Sequence, residues 1–275
     1  MKNLNCLILV FLGVTGLSAA QKLPNKQETA LRAPAKVKVD GDAAEWGDKF
    51  QAYNKATEVY YTMANNDGNL YLTVRATNSI IINKIMSGGI SLAIDQTGKK
   101  NDKGTPSITF PVLEGGGRLN FGVINKASST IGEDKAAVDR MESGKMKPND
   151  SVAFAYNKRL GDNAKLVMVT GVKGIDTLIS IYNDTGIKAR QLFDGNMAYT
   201  YELAVPLKYL GLDIKNQQKF AYHITLNGNS ILPKKNATAV NIGGGEGGIL
   251  ELKVMAFNQS SAPTDFWAEY TLAQK

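Results

Sequence analysis

Cysteine is almost absent from this chain. The one present, Cys6, falls in the apolar stretch 4–17, behind a positive Lys2 and ahead of the small residues Ser18-Ala19-Ala20. This pattern predicts a secretory signal segment over residues 1–20, cleaved before Gln21. Cys6 lies too early, with the wrong neighbours, to be a lipid-modified cysteine. The expected mature chain therefore has no thiol. That excludes disulfides, thiol nucleophiles, thiolate metal sites and dithiol redox chemistry. Histidine is equally scarce, with His223 alone. No second apolar run is long enough to cross a bilayer, so no transmembrane segment is expected after signal cleavage. The expected location is periplasmic, outer-surface or extracellular.

Charge of one sign is not concentrated anywhere. The formal charge is +7, yet the basic excess is spread along the chain. In the richest window, 96–150, Lys99, Lys100, Lys103, Lys126, Lys145 and Lys147 alternate with Asp102, Glu114, Glu133, Asp134 and Asp139. That is a solvated mixed surface rather than a basic stripe. Together with export it argues against a nucleic-acid partner, leaving a weak attraction to anionic glycans.

What is present is strand after strand. Residues 59–64 and 70–75 alternate apolar and polar around Asn65-Asn66-Asp67-Gly68-Asn69, which predicts a hairpin with one buried and one wet face. Further strand-like runs cover 90–94, 107–112, 119–124, 152–156, 166–172, 178–182, 187–193, 197–205, 220–226, 249–255 and 266–272. The runs 107–112 and 119–124 are expected to pair around Gly115-Gly116-Gly117, and 187–193 with 197–205 around Asp194-Gly195-Asn196. Short helices are predicted at 78–86, capped by Asn78 or Ser79, at 133–142, and as a single turn at 206–210 opened by Pro206. Residues 21–35 read as a loose polar leader. The mature length of about 255 residues suits one large domain. The expected fold is all-β, a two-sheet antiparallel sandwich of immunoglobulin-like or jelly-roll-like type, over residues 36–275.

The order of segments carries a resemblance. Val39-Asp40-Gly41-Asp42 leads to Glu45-Trp46; the hairpin holds Asp67-Gly68-Asn69-Leu70-Tyr71-Leu72; Tyr201-Glu202-Leu203-Ala204-Val205-Pro206 comes late; a closing strand carries Trp267. Together these resemble the family 9 carbohydrate-binding-module-like domains, relatives of the DOMON group, over residues 36–274. The resemblance implies a β-sandwich with a ligand site on one face or rim, a polysaccharide or oligosaccharide partner, and a role in carbohydrate catabolism or at the cell envelope. Some such domains hold structural calcium and some hold haem; no cofactor is required. This chain departs from the pattern at Asn78, where an aspartate is common, and it is expected to stand without a catalytic domain.

Candidate residues follow. Sugars stack their C–H faces on flat, exposed aromatic rings, so Tyr53, Tyr60, Tyr71 and Trp267 are the candidate ligand-binding residues. Tyr60 and Tyr71 oppose the main apolar alternation and would share an outer face. Trp267 is outward only if Phe266 and Tyr270 are buried. Trp46 is either a stacking ring or, as its position favours, a core plug. Asp40, Asp42, Asp67 and Asp95 are candidate calcium ligands, with turn-building as the simpler reading. His223 is the sole option for a serine triad, but no G-x-S-x-G elbow exists; as a haem ligand it would pair with Met63 or Met197. A glycosidase would need two carboxylates, and Glu202 is the notable one, with a buried structural acid as the plainer alternative. The run Gly243 to Gly248 contains G-x-G-x-x-G but precedes a strand pattern, so a rim loop is expected rather than a dinucleotide site. No catalytic residue is assigned.

Overall fold

The predicted hairpin forms as β2 (Val59–Asn65) and β3 (Asn69–Ala76), antiparallel, with Met63 opposite Leu72. The turn is built by a side chain: Asn66 Oδ1 accepts the backbone N–H of Gly68 at 2.9 Å and of Asn69 at 2.8 Å. A computed structural model describes residues 22–47, 49–113, 148–228 and 262–275. The signal segment, the strands at 119–124 and 249–255, the Gly115-Gly116-Gly117 turn, the helix at 133–142 and the glycine run 243–248 lie outside the described residues.

The other strands are β1 (Ala52–Asn54), β4 (Ile90–Asp95), β5 (Ser107–Val112), β6 (Leu166–Thr170), β7 (Leu178–Ser180), β8 (Lys188–Phe193), β9 (Tyr199–Pro206), β10 (Phe220–Leu226) and β11 (Thr264–Tyr270). They make two antiparallel sheets, ordered β1-β2-β3-β9-β8 and β11-β10-β4-β5-β6-β7. The all-β two-sheet sandwich expected from the sequence is the observed fold. Inner rows follow the period of two: Tyr61, Met63, Leu72, Val74, Tyr201 and Leu203 from one sheet meet Leu92, Ile94, Tyr222, Ile224 and Phe266 from the other in one core. Tyr61 and Tyr222 share a hydroxyl hydrogen bond at 3.0 Å across the interface, so neither phenol lacks a partner where water is excluded.

Helix α1 (Ser79–Gly88) carries the chain from the first sheet to the second. Asn78 Oδ1 caps it by accepting the Ile80 N–H at 2.9 Å, and Ile81, Ile82, Ile85 and Met86 are buried, as the sequence pattern predicts. The single turn after Pro206 also forms, at Leu207–Leu210.

Three expectations are corrected. Residues 152–156 are not a strand; they lie in helix α2 (Pro148–Asn163). The run Val152-Ala153-Phe154-Ala155-Tyr156 imitates strand composition, but the buried positions Val152, Tyr156, Leu160 and Ala164 recur every four residues. Pro148 at the first helical position and Asp150 in the first turn were the available start signals. Second, the hairpin has no wet face. Thr62, Ala64, Tyr71 and Thr73, on its outer side, are all buried. Third, the leader is not loose. Gln27 accepts the Met63 N–H at 2.7 Å through Oε1 and donates from Nε2 to the Met63 carbonyl at 2.8 Å. Leu31 and Ala33 then bracket Asn65 with backbone hydrogen bonds at 3.0 and 2.9 Å. β1 pairs with β2 only as far as Tyr61, so this segment fills the edge that β1 leaves open.

α2 treats the opposite edge in the same way. Asn157 accepts the Phe193 N–H at 2.7 Å and donates to its carbonyl at 2.9 Å, on the edge strand β8. Replacing Asn157 with Ala removes both of these hydrogen bonds. The expected loss is about 1–3 kcal/mol of stability, read as a lower urea midpoint at unchanged slope. An unchanged midpoint would mean that the helix does not protect this edge.

Candidate functional site

The outer face of the first sheet holds the most deeply buried carboxylate among the described residues. Glu202 stands on β9 opposite Thr73 and Arg190 and is 2 % exposed. The segment 40–46 lies over it. The N–H groups of Gly41 and Asp40 donate to Oε2 at 2.9 and 3.1 Å, and Trp46 Nε1 donates to Oε1 at 3.1 Å. Gly41 sits at φ +92°, and a Cβ there would meet the Gln191 backbone carbon at 2.7 Å, so only glycine fits. Two of the segments that carry the resemblance, the Asp-Gly-Asp…Glu-Trp opening and the Tyr-Glu-Leu strand, are thus halves of one contact. Burial pushes the Glu202 carboxyl up to about 7, outweighing the hydrogen bonds from Gly41, Trp46 and Asp40 that pull it down. Both oxygens are engaged by hydrogen bonds and the residue is almost wholly buried, which gives Glu202 a structural part.

Trp46 therefore covers a carboxylate on the sheet's outside rather than plugging the core. Its ring lies 6.2 Å from that of Tyr71. Tyr71 is itself buried, with its hydroxyl accepting from Asn66 Nδ2 at 2.8 Å. Tyr60 shares this outer face, as expected, but at its far margin, where it packs on Tyr53 at 4.8 Å and Phe50 at 6.0 Å. A recess of 460 Å³ opens there, lined by Leu23, Lys49, Phe50, Tyr60, Arg75 and Thr77. Its rings are tilted 47–50° to one another and offer no flat shelf. Its Arg75 is tied to Asp194 at 2.5 Å.

The four aspartates do not converge. Asp40 and Asp42 form the turn over Glu202, the Asp42 N–H donating to Asp40 Oδ1 at 3.0 Å. Asp67, in the hairpin turn, is held below the usual carboxylate range by Lys275, at 2.6 Å, and then Arg32, at 2.8 Å. Asp95 ends β4 in the other sheet. Burial pushes its carboxyl up, but hydrogen bonds from Thr97 and from the Asn101 and Lys100 backbone outweigh burial and hold it low. Among the described residues no group of three or more His, Asp or Glu side chains is arranged to hold a metal ion. Haem ligation by His223 with Met63 or Met197 also fails on geometry. His223 faces outward from the second sheet, Met63 is fully buried inside the first, and Met197 lies in the β8–β9 turn.

The second sheet presents a different surface. Phe266 and Tyr270 are buried, so Asp265, Trp267 and Glu269 project outward from the edge strand β11. Register places Trp267 beside His223 on β10. Their rings stack at 4.3 Å and 7°. The imidazole is clamped from both sides: Nδ1 lies 2.9 and 3.0 Å from the Asp102 oxygens, and Nε2 2.7 Å from Asp265. One face of the indole is thereby held by a fixed planar ring. Among the described residues no other ring and no cation lies against it. Beyond Glu269, on the same face, a recess of 430 Å³ is lined by Lys26, Gln27, Glu28, Thr29, Lys100 and Lys219 among others. Lys100 and Lys219 reach Glu269 at 3.4 and 3.2 Å.

The alternation Asp265, Trp267, Glu269 was visible in the sequence. The partnership with His223 was not, because it depends on register between strands joined through residues 227–263. Tyr53, Tyr60 and Tyr71 belong to one sheet and Trp267 to the other, so the four aromatic candidates do not make a common site.

Glu202 yields a sign-definite pH test. Its ordinary value is 4.5 and its folded value about 7, so the native state binds the proton more tightly. Its contribution to stability is complete below pH 4.5 and lost as pH rises to about 7. Relative to Glu202→Gln, wild type should lose about 3 kcal/mol across that window, measured by urea unfolding at several pH values. A pH-independent difference would overturn the account of burial.

No family model and no curated protein matches this chain.

Proposed function

We propose that this chain is an exported, non-catalytic, carbohydrate-binding β-sandwich of the family 9 carbohydrate-binding-module-like kind, whose ligand stacks on Trp267. One observation carries the reading: an outward, half-buried tryptophan on an edge strand, one face pinned by a clamped imidazole and the other, among the described residues, without a ring or cation partner. A sugar needs a flat apolar surface for its axial hydrogens and polar groups around the rim for its hydroxyls. Trp267 provides the first; Asp265 and Glu269 flank it along β11, and Lys100 and Lys219 gather on Glu269 to extend the second. Because the ring is already fixed by His223, little conformational freedom remains to be lost on binding, which favours affinity.

A partner-binding sandwich without a sugar site has less support. Leu178 and Tyr182 are the large apolar side chains left exposed among the described residues, at 49 % and 73 %, and two such residues do not form an extended patch.

The test is an affinity-gel and thermal-shift screen of the purified protein against soluble polysaccharides. A bound glycan raises the melting temperature by mass action. Trp267→Ala should weaken binding roughly 30-fold or more, in line with loss of a central aromatic anchor. His223→Ala should weaken it less, by freeing the indole. If no glycan is retained, or if Trp267→Ala binds as wild type does, the platform reading fails.

A further inference from the structure

Resting on that reading, we propose that the ligand is an acidic saccharide, a uronate-bearing chain whose carboxylate is met by Lys100 and Lys219 beside the Trp267 platform. Trp267 and Glu269 point from the same face of β11, two residues or roughly 7 Å apart. Lys100 comes from the segment that follows β4, and Lys219 immediately precedes β10. The two ammonium groups converge on the Glu269 carboxylate from different segments, at 3.4 and 3.2 Å. Their spacing is therefore already that of a two-lysine clamp around one carboxylate.

Each ammonium has three donors, and Glu269 takes one from each, so the clamp has capacity for a second carboxylate. Lys26 adds a further cation to the adjoining 430 Å³ recess, against Glu28 and Glu269. The lining thus keeps a net positive charge with Glu269 ionised, and the two lysines hold that carboxyl below its usual range. A pyranose stacked on the indole carries a uronate group at its ring edge, outside the stacked face. There it can reach along the strand toward the clamp without disturbing the stack. A neutral sugar would leave the spare lysine donors to water. The chain's overall charge of +7 acts in the same direction, raising the local concentration of a polyanion.

The experiment is isothermal titration calorimetry of the full protein with trigalacturonate and trimannuronate, each compared with its methyl ester. The ester keeps the ring and removes the charge. The expected result is that at least one acid binds roughly tenfold tighter than its ester at low salt. The gap should close as ionic strength rises toward about 0.5 M. The double variant Lys100→Met with Lys219→Met should bring the acid-to-ester ratio close to one. Both side chains are solvent-facing, at 44 % and 66 % exposure, so the variant's melting temperature should match wild type. Trp267→Ala should remove binding of acid and ester alike. If esters or neutral glycans bind as tightly as the acids through Trp267, the acidic-ligand inference is overturned and the glycan-binding reading stands. If no acid, ester or neutral glycan binds, both are overturned.

Discussion

The first sheet is organised around a carboxylate almost wholly withdrawn from water. Glu202 lies on the outer row of β9, and a charge or a bare carboxyl in that position is tolerated only if donors surround it. The donors come from Asp40, Gly41 and Trp46, so the segment 40–46 must lie flat on the sheet. Once there, with Trp46 set against Tyr71, it helps seal the outer rows of β2, β3 and β9. The middle of the outer face, at Thr62, Tyr71, Thr73 and Glu202, is buried, while Lys188 on β8 stays exposed. The other sheet keeps its outward tryptophan at the β11 margin.

A second device recurs at the strand edges. A side-chain amide carries a donor and an acceptor in one plane, as a peptide group does, so it can take the place of a neighbouring strand at a single residue. Gln27 does this for Met63, where β1 has stopped. Asn157 does it for Phe193 at the β8 edge. Asn65 closes the C-terminus similarly, accepting the Ala273 N–H at 2.8 Å and donating to its carbonyl at 3.1 Å. These contacts tie distant parts of the chain to the sheets without lengthening them. They also explain how a domain with no disulfide secures its periphery: each amide replaces water at two backbone groups.

The Trp267 site is built by opposite means. Instead of neutralising a buried charge with neutral donors, it fixes an imidazole between two exposed carboxylates and lays an indole against it. The outcome is a rigid aromatic surface at an edge, adjoining lysines that already handle a carboxylate. Rigidity and charge lie on one face of one strand, which is why the two parts of the functional reading can be separated by experiment.

Strand periodicity, turn chemistry and caps are local properties, and they determined much of this protein in advance. The alternation of β2, β3, β9 and β11, the Asn66 turn, the Asn78 cap and the turn after Pro206 each need only neighbouring residues. The all-β sandwich follows from summing them. The helix at Pro148–Asn163 escaped because five of its residues copy strand composition, and only the longer four-residue spacing to Leu160 and Ala164 separates the two. What the tertiary structure alone decided is what covers each face. Nothing near Thr62 or Tyr71 announces that Gln51 and Trp46 will meet them on the outer face. Nothing near Glu202 announces that its partners lie some 160 residues earlier. The pairing of His223 with Trp267 is likewise a matter of register between strands, and register is settled by the whole core, not by either strand. Local sequence dictates which way a side chain points from its own strand; only long-range packing dictates what it meets there.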